Sequence, residues 1–568
     1  MNFSKVMLLA NNLRGDVYTR LYKFGKIATL SSLLCLGVIA NSVSAPLPIV
    51  TQKSKVVTSS AEPSVRVHRA GSYALSIPHN GTLGSGFSAQ LTDPLTGEPI
   101  PSYEFPQGSH LEHLYSASIW IGGVVNNDTL VSVAADGWID YFEMIPSPVL
   151  PGVRVVQGPA DENYGVVYSD TLPPILHIIN SPGAVGVLVE QTSRSWAAPP
   201  NDNIAIIEYK ISNFRDDTIK NMWVGIYVDG DIVGLGDAVL GFSDDVSGYL
   251  DEFGIAYITD NDGHPGNLPG NDTWSESSIR SVIGAKILDF QPASPYPINF
   301  NWWVSNGNAP LDFGPRLAGT EEDPFRDFGD WLGTPVGELD KYYILSHSER
   351  DYDQLEMALD HSGDGWLPPP DSTIAKGIAS GADTRFLLST GGIDLGPDDS
   401  IHFVIALAIG ESLHQGPTDF AQLFDPYSPN SFIDQLSFSD LITNIQSAES
   451  LYASGYDVPV YTPPPQPIVI DPFAESPEIT WVYNTNSNVE GYDIFVQRIP
   501  DSMIFCNIAP IDTPSFKIDE VFNSEPITTN KFTIEGLVDG AWYSLGVAIH
   551  PPADSAPKIS TPRVYHHG

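Results

Sequence analysis

Short runs of β-branched and aromatic residues recur along most of this chain and constrain its fold more than any other feature. Apolar and polar residues often alternate within the runs, and Gly, Asp and Asn bound them, as is typical of strands that end in turns. With 49 Gly and 48 Pro in 568 residues, many short strands are favoured over long helices. The pattern predicts an all-β protein with a large β-sandwich body. The clearest runs are SASIWIGGVV around Ile119, NIAIIEYKISNF from Asn203, NMWVGIYVDG from Asn221, FGIAYITD from Phe253, SVIGAKILDF from Ser281 and IHFVIALAIG from Ile401.

One segment near the end of the body predicts a helix instead. In FSDLITNIQSAESLYASG, from Phe438 to Gly455, apolar residues recur at intervals of three and four. We expect Ser437 to cap the start of this helix and Gly455 to end it. The helix is expected to pack on the edge of the sandwich and close the body.

The N-terminus has the pattern of an export signal. Five basic residues precede the apolar run IATLSSLLCLGVIA, from Ile27 to Ala40, and small residues follow up to Ala45. A membrane anchor is the alternative, but these 14 apolar residues are short for a span of about 20. We therefore predict a Sec-type signal peptide over residues 1–45 and no membrane span in the mature chain. This prediction places the protein outside the cell or at its surface.

Composition divides the rest of the chain. Residues 46–65 are rich in Ser, Thr, Pro and Val and predict a linker, and residues 66–455 form the body, as one domain or two. The proline-rich residues 456–475 predict a second, extended linker. Residues 476–568 have the length of one further small sandwich.

The C-terminal segment, residues 476–568, resembles a fibronectin type III module. Trp481 lies in an early strand and Tyr492 in the next one. In GLVDGAWYSLGVAI, Leu537 and Tyr543 match the family's corner, where a tyrosine follows a glycine-containing turn and leads into an alternating strand. The resemblance implies a small fibronectin type III-like sandwich after the body.

The body resembles a large group of exported bacterial proteins that are mostly uncharacterised. The phrases that carry this resemblance include IWIGGVVNNDTLVSVAADGW from Ile119, MWVGIYVDGDI from Met222 and DLGPDDSIHFVIALAIG from Asp394. Proteins of this group combine a β-rich body with fibronectin-like, immunoglobulin-like or type IX sorting modules. The resemblance implies export and a surface or extracellular location, and it implies no particular reaction.

The charge of the chain excludes some classes of partner. With 27 basic and 69 acidic residues the formal charge is −42, and removing the signal's five basic residues and one acidic residue makes it −46. Nucleic acid is excluded as a partner because phosphate binding needs a basic surface, and an anionic membrane is disfavoured for the same reason. Such a charge suits salty surroundings where divalent cations are available. Only Cys506 remains in the mature chain, so neither an intramolecular disulfide nor a cysteine zinc site is expected.

Acidic residues concentrate in one stretch of the body. Eleven Asp and Glu residues lie between Asn221 and Ile279, with no Lys or Arg among them. Calcium takes carboxylate and carbonyl oxygens on flexible loops, which makes this stretch a predicted calcium site. A solvated acidic loop and a pair of catalytic carboxylates are the alternatives that the residues leave open. The candidate calcium ligands are Asp229, Asp231, Asp244, Asp245, Asp251, Asp260 and Asp262.

A second acidic loop, DHSGDGWLPPPD, has spacing that overlaps the EF-hand calcium loop. Asp360, Asp364 and Asp371 stand at positions one, five and twelve, and Gly365 stands at the position of the sharp turn. The three prolines at 368–370 argue against a following helix, so a complete EF-hand is not predicted. A bare calcium turn and a simple Asp-Gly turn between strands remain the two interpretations.

Signatures of enzymes are scarce in this sequence. It contains no G-x-S-x-G elbow, phosphate-binding loop or H-E-x-x-H motif, and His110 and His113 lack a third metal ligand nearby in sequence. The sequence favours a non-enzymatic, calcium-stabilised protein with a structural, adhesive or assembly role. Its expected partners are cell-surface or matrix components, glycans or further copies of itself. The alternatives are a carbohydrate-binding protein, with Trp302 and Trp303 stacking on sugars, and a secreted polysaccharide hydrolase with two catalytic carboxylates.

Overall fold

The computed structural model describes most of the body and part of the C-terminal segment. The described residues are 62–88, 91–93, 97, 99–136, 143–171, 183–234, 241–265, 272–304, 314–317, 335 and 337–457, with the backbone of seven strands after residue 467. The predicted signal peptide, residues 1–45, and residues 46–61 of the predicted linker lie outside them. Within this part of the chain, no helix is both long enough and apolar enough to cross a membrane.

The described part of the body is built mainly of strands, and every ladder between them is antiparallel. All six runs singled out in the sequence are strands, so the prediction of an all-β protein is confirmed. In chain order the strands are β1 (Val65–His68), β2 (Ala74–Pro78), β3 (Thr82–Leu83), β4 (Tyr103–Glu104), β5 (Ser116–Val125), β6 (Asp128–Val133), β7 (Ile145–Pro146), β8 (Arg154–Val155), β9 (Glu162–Ser169), β10 (Val187–Ser195), β11 (Ile204–Asn213), β12 (Ile219–Asp229), β13 (Asp245–Leu250), β14 (Ile255–Asp260), β15 (Val282–Gln291), β16 (Asn299–Val304), β17 (Thr384–Leu395) and β18 (Ser400–Gly410).

These strands form two large sheets and one small one. The nine-stranded sheet has the order β13-β14-β15-β18-β11-β10-β9-β7, with β8 also paired to β9. The six-stranded sheet has the order β16-β17-β12-β5-β3, with β6 also paired to β5. The small sheet is β1-β2-β4. Many neighbours in space are distant in sequence, since β12 pairs with β17 and β11 with β18.

The main hydrophobic core contains residues of both large sheets. Val224 and Ile226 of β12 belong to it together with Ile207 of β11, whereas Trp223 and Tyr227 of β12 belong to a separate cluster. This alternation follows from the two-residue period of a strand, which sends successive side chains to opposite faces. The two sheets therefore pack in the manner of a β-sandwich, and the outer face of each is also apolar.

Helices cover both outer faces. The described helices are α1 (Glu338–Ser346), α2 (Ser372–Ala379), α3 (Asp419–Leu423), α4 (Asn430–Ile433) and α5 (Ser439–Ala453), with 3-10 turns at Gln354–Glu356 and Ser362–Asp364. Ile344 and Leu345 of α1 pack with Trp120, Trp223 and Trp303 on the outer face of the six-stranded sheet. Helix α1 was not predicted from the sequence.

The predicted long helix is α5, but it lies on a sheet face and not at the sandwich edge. Leu441 and Ile445 pack against Ile206 of β11 and Val404 of β18, which are central strands of the nine-stranded sheet. The physical reason is that the outward side chains of these strands are apolar and need cover. Gly410 permits the close packing, because a Cβ there would lie 2.5 Å from the Cβ of Leu441.

The ends of α5 agree only partly with the prediction. Phe438 is the N-cap residue, and Ser437 makes no capping hydrogen bond, since its hydroxyl lies 3.0 Å from that of Ser439. At the other end Gly455 has a φ of 69°, as expected of a glycine that terminates a helix.

The C-terminal segment is described as backbone strands in two antiparallel sheets. The fibronectin type III assignment rests on side chains outside the described residues and stays a prediction. One sheet contains β19 (Ile468–Ile470), β20 (Glu478–Thr480) and β22 (Lys531–Thr533), and the other β21 (Tyr492–Arg498), β23 (Trp542–Ile549), β24 (Lys558–Ile559) and β25 (Val564–His567).

Candidate metal centre between the two sheets

Strand ends from both large sheets bring acidic residues together. Asp229 is the last residue of β12 and Asp383 directly precedes β17, in the six-stranded sheet. Asp245 begins β13 and pairs in register with Asp260, which ends β14, in the nine-stranded sheet. The backbone links the two sheets here, because Ala382 donates its N–H to the carbonyl of Asp245 at 2.9 Å. The acidic residues thus lie at the junction of the two sheets.

The approach of the β17 segment to β13 depends on a glycine. Gly381 has a φ of 113°, a region that favours glycine. A Cβ at this position would lie 2.3 Å from the backbone oxygen of Asp244. The close approach brings Asp383, two residues later, next to the acidic stretch of the other sheet.

Three carboxylates converge most closely in this region. One oxygen each of Asp229, Asp231 and Asp383 lies within 4.8 Å of the others. Asp229 and Asp383 are 3% and 8% exposed, whereas Asp231 keeps part of its residue surface exposed. Burial of its carboxyl group raises the pKa of Asp231 well above the usual range, and the charges of Asp229 and Asp383 raise it further.

Arg385 brings a positive charge to these carboxylates. Its Nε and Nη2 donate to Asp229 Oδ1 at 3.1 and 2.9 Å, and Nη2 also donates to Asp383 Oδ1 at 2.6 Å. Burial alone would lower the pKa of the guanidinium, but Asp229 and Asp383 hold it well above its usual value. When all three carboxylates are ionised, they and the guanidinium carry a formal charge of −2.

Asp245 adds a fourth carboxylate, which is fully buried. Its Oδ2 accepts the N–H of Ile232 at 3.1 Å, while its Oδ1 has no hydrogen-bond partner in the described part of the chain. Burial raises the pKa of Asp245 well above the usual range, and the charges of Asp260, Asp244 and Asp231 add to this. A buried carboxylate oxygen without a partner is rare and calls for a proton or a cation. We name Asp229, Asp231, Asp245 and Asp383 the inter-sheet cluster.

Asp244, Asp260 and Asp262 lie beside this cluster. Oδ1 of Asp260 accepts the N–H groups of Asp262 and Gly263 at 2.8 and 2.5 Å. Oδ1 of Asp262 accepts the N–H of His264 at 2.7 Å. Burial raises the pKa of Asp260, with further contributions from the charges of Asp244 and Asp262. These residues add negative charge next to the inter-sheet cluster.

The inter-sheet cluster fits a hard cation by the chemistry of its donors. Its members offer only carboxylate oxygens, the ligands that calcium prefers, and neither a thiolate nor an imidazole is among them. A cation held by the converging oxygens of Asp229, Asp231 and Asp383 would offset the excess negative charge. Calcium also tolerates irregular geometry and further ligands from backbone carbonyls or water.

Asp251, a predicted ligand of the same stretch, lies apart from this cluster. Its side chain is 75% exposed, and its Oδ1 accepts a hydrogen bond from Arg350 Nη1 at 2.8 Å. This carboxylate is therefore solvated and already has a cationic partner.

The three aspartates of the second acidic loop also remain in water. Asp360, Asp364 and Asp371 are exposed, and we name residues 360–371 the exposed acidic loop. Oδ1 of Asp360 accepts the N–H of Ser362 at 3.0 Å, as in a turn. No two of the three carboxylates share a partner among the described contacts.

The expectation that no helix follows the three prolines is wrong. Helix α2 begins at Ser372, and Asp371 caps it by accepting the N–H of Thr373 at 3.0 Å. The prolines precede the cap, where the helix does not need their missing N–H groups. Asp371 therefore stabilises the start of this helix as its N-cap residue.

Two residues of the site were not predicted from the sequence. Asp383 and Arg385 lie about 100 residues after the acidic stretch, in ADTRFLL. Only the pairing of β12 with β17, which places Asp229 opposite Arg385, brings them to the cluster. The available signal was an arginine at the start of an otherwise apolar strand, where a buried cation needs an acidic partner.

Other candidates do not form sites in the described structure. His113 is buried with Nε2 2.7 Å from Ser281 Oγ, while the side chain of His110 is 72% exposed. Trp302 and Trp303 are fully buried and present no face to a sugar.

Comparison with known proteins does not assign the chain to a family. No family model matches it, and no curated protein is significantly similar to it. A functional proposal therefore depends on the site and on the sequence features described above.

Proposed function

We propose that this protein is an exported, non-enzymatic β-sandwich protein with a structural, adhesive or assembly role, stabilised by calcium bound at the inter-sheet cluster. The observation that carries the calcium proposal is the convergence of one carboxylate oxygen each from Asp229, Asp231 and Asp383 within 4.8 Å. The signal-like N-terminus and the resemblance to exported bacterial β-sandwich proteins, with a fibronectin type III-like segment, support the location. Asp244, Asp260 and Asp262 add negative charge beside the cluster, so the site favours a cation over an anion.

A bound cation accounts for the cluster better than solvent does. Asp229, Asp245 and Asp383 are all less than a tenth exposed, so water does not screen their charges as it screens a surface loop. Protonation is the remaining alternative, and it would neutralise each acid one at a time. One divalent cation neutralises two charges and supplies a partner to several oxygens at once.

The position of the site suggests what the cation would do. The converging carboxylates adjoin β12 and β17 of one sheet, and Ala382 next to them is hydrogen-bonded to Asp245 of the other sheet, so the ion would stabilise the junction between the two sheets. Because the unfolded chain lacks the assembled site, binding stabilises the folded state by mass action. At about a hundred times the dissociation constant the gain is about 2.7 kcal/mol.

The hydrolase alternative has weaker support. A glycosidase needs two carboxyl groups that flank a sugar, which requires an open cleft. Asp229 and Asp383 are buried and both are bonded to Arg385. The carbohydrate-binding alternative is weakened because Trp302 and Trp303, the tryptophans expected to stack on sugars, are fully buried.

Direct titration of calcium tests the proposal. The full chain is freed of metal with a chelator and titrated by calorimetry, beside Asp231→Asn/Asp245→Asn and the matched control Asp360→Asn/Asp364→Asn. We expect saturable binding by the wild type and the control, and loss of binding in the first variant. Binding that survives in the first variant, or is absent from the wild type, would overturn the assignment.

A further inference from the structure

We propose that Arg385 sets the affinity and the charge selectivity of the inter-sheet cluster for its cation; this inference rests on the proposed function. The guanidinium lies inside the cluster, 5% exposed, and is bonded to Oδ1 of Asp229 and Oδ1 of Asp383. These two carboxylates also belong to the group whose oxygens converge within 4.8 Å. Arg385 therefore already supplies one positive charge to the carboxylates that would bind the metal ion.

The first consequence concerns the state without metal. Arginine cannot lose its proton at any physiological pH, so it offsets one carboxylate charge permanently. It also holds Asp229 and Asp383 in fixed positions through three hydrogen bonds. The junction between the sheets can thus form before a cation arrives, and calcium adds stability to a structure that is already folded.

The second consequence concerns affinity. A carboxylate oxygen has two lone pairs and can accept from arginine while it also faces a metal ion. The fixed positive charge nevertheless repels any cation that enters, which weakens binding and restricts it to calcium-rich surroundings. With Arg385 the three converging carboxylates carry a formal charge of −2, and without it they carry −3.

The third consequence is a selectivity that can be measured. The Coulomb energy between a fixed charge and an ion is proportional to the charge of the ion. Removing the arginine charge should therefore improve the binding of a trivalent ion about 1.5 times as much, on a logarithmic scale, as that of a divalent ion. A residue that only maintained the fold would change both affinities alike.

The experiment compares Arg385→Gln, Arg385→Lys and Arg350→Gln in the full chain, each titrated with calcium and with terbium. Arg350 is a suitable control because it is bonded to the exposed Asp251 and its side chain is 48% exposed. We expect Arg385→Gln to bind calcium roughly tenfold tighter or more, and terbium tighter by the larger factor. Arg385→Lys keeps the charge and should stay within a few-fold of the wild type, as should Arg350→Gln.

The outcomes separate this inference from the proposed function. If the wild type binds no calcium, the proposed function fails. If the wild type binds calcium but Arg385→Gln binds both ions with unchanged or weaker affinity, only the role of Arg385 is overturned. Should Arg385→Gln be unfolded in chelator, the calcium concentration that restores its circular dichroism replaces the titration. If the variant refolds at a calcium concentration below the wild-type dissociation constant, the inference is supported. If calcium does not restore the fold, the inference is contradicted.

Discussion

The inter-sheet cluster and the exposed acidic loop both carry aspartates in short connections, but their carboxylates differ in surroundings. In the cluster, Asp245 is fully buried and one of its oxygens has no partner among the described residues. In the loop, Asp360 and Asp371 are exposed, and each accepts a backbone N–H two residues ahead. The inter-sheet cluster thus contains a buried carboxylate oxygen without a described partner, whereas Asp360 and Asp371 of the exposed acidic loop are in water and have hydrogen-bond donors. Acidic content alone therefore does not distinguish a cation site from a solvated turn.

Solvent explains the difference in physical terms. Water and salt screen exposed charges, so a surface aspartate near others costs little and gains little. Burial removes that screening, and the charge must be offset by a proton, an arginine or a metal ion. Among the described residues, Arg385 is the arginine bonded to the cluster, and when Asp229, Asp231 and Asp383 are all ionised it offsets one of their three charges.

The largest effect is expected where the buried ion pair is broken. Asp229→Ala leaves the guanidinium of Arg385 buried with one of its two carboxylate partners removed. We expect a loss of about 3–5 kcal/mol in the free energy of unfolding, measured in urea. Asp251→Ala breaks an exposed pair with Arg350 and should lose no more than about 1 kcal/mol. Equal losses would mean that the two pairs do not differ in burial as described.

The pH dependence of stability should separate the two regions next. Burial raises the pKa of Asp231, Asp245 and Asp260 in the folded protein, so these groups bind protons more tightly there than in the unfolded chain. In chelator the stability contributed by these groups is therefore greatest at low pH, and it falls as the pH rises through the raised pKa values. Each unit of pKa difference corresponds to about 1.4 kcal/mol. Calcium should reduce this fall, because it stabilises the ionised carboxylates.

A variant isolates the contribution of the cluster from that of other buried acids. Asp353 lies elsewhere and burial raises its pKa to about 7, so it adds a fall of the same sign near neutral pH. Asp245→Asn should make the fall in chelator less steep while leaving the part due to Asp353. Urea unfolding between pH 5 and pH 8 measures this, and an unchanged slope would argue against a buried carboxylate at position 245.

A smaller effect is expected from the helix cap. Asp371→Ala removes the acceptor for the N–H of Thr373 at the start of α2. This should cost about 1 kcal/mol of the free energy of unfolding, equally in calcium and in chelator. A cost that appears only in calcium would instead make Asp371 a ligand.

The smallest effect is expected within the exposed acidic loop. Asp360→Asn with Asp364→Asn changes two exposed side chains and should shift stability by no more than about 0.5 kcal/mol. The response to calcium, measured as the shift in Tm, should equal that of the wild type. A diminished shift would place a second cation in this loop.

Local patterns predicted much of the fold. The six strand runs and the helix at Ser439–Ala453 are recognisable because their apolar residues have the period of the element. The sequence could also predict that Asp229, Asp231 and Asp245 lie near one another, because all three stand at or next to strand ends within one acidic stretch.

The remainder depends on pairings between distant segments. Asp383 and Arg385 reach the cluster through the pairing of β17 with β12, which no local pattern contains. The burial of Trp302 and Trp303 likewise requires both faces of the six-stranded sheet to be covered, one by the other sheet and one by α1. Sequence alone therefore identified acids in the cluster but not the cation that balances them.

Thermal unfolding in calcium and in sodium at matched ionic strength tests the central claim most directly. If calcium binds between the sheets, it raises the Tm of the chelated wild type well above the value in sodium, and Asp231→Asn/Asp245→Asn loses most of that difference. If the acids are only solvated charge, sodium stabilises as well as calcium, and the double variant is neutral or more stable. Coincident melting curves in the two salts would contradict the account.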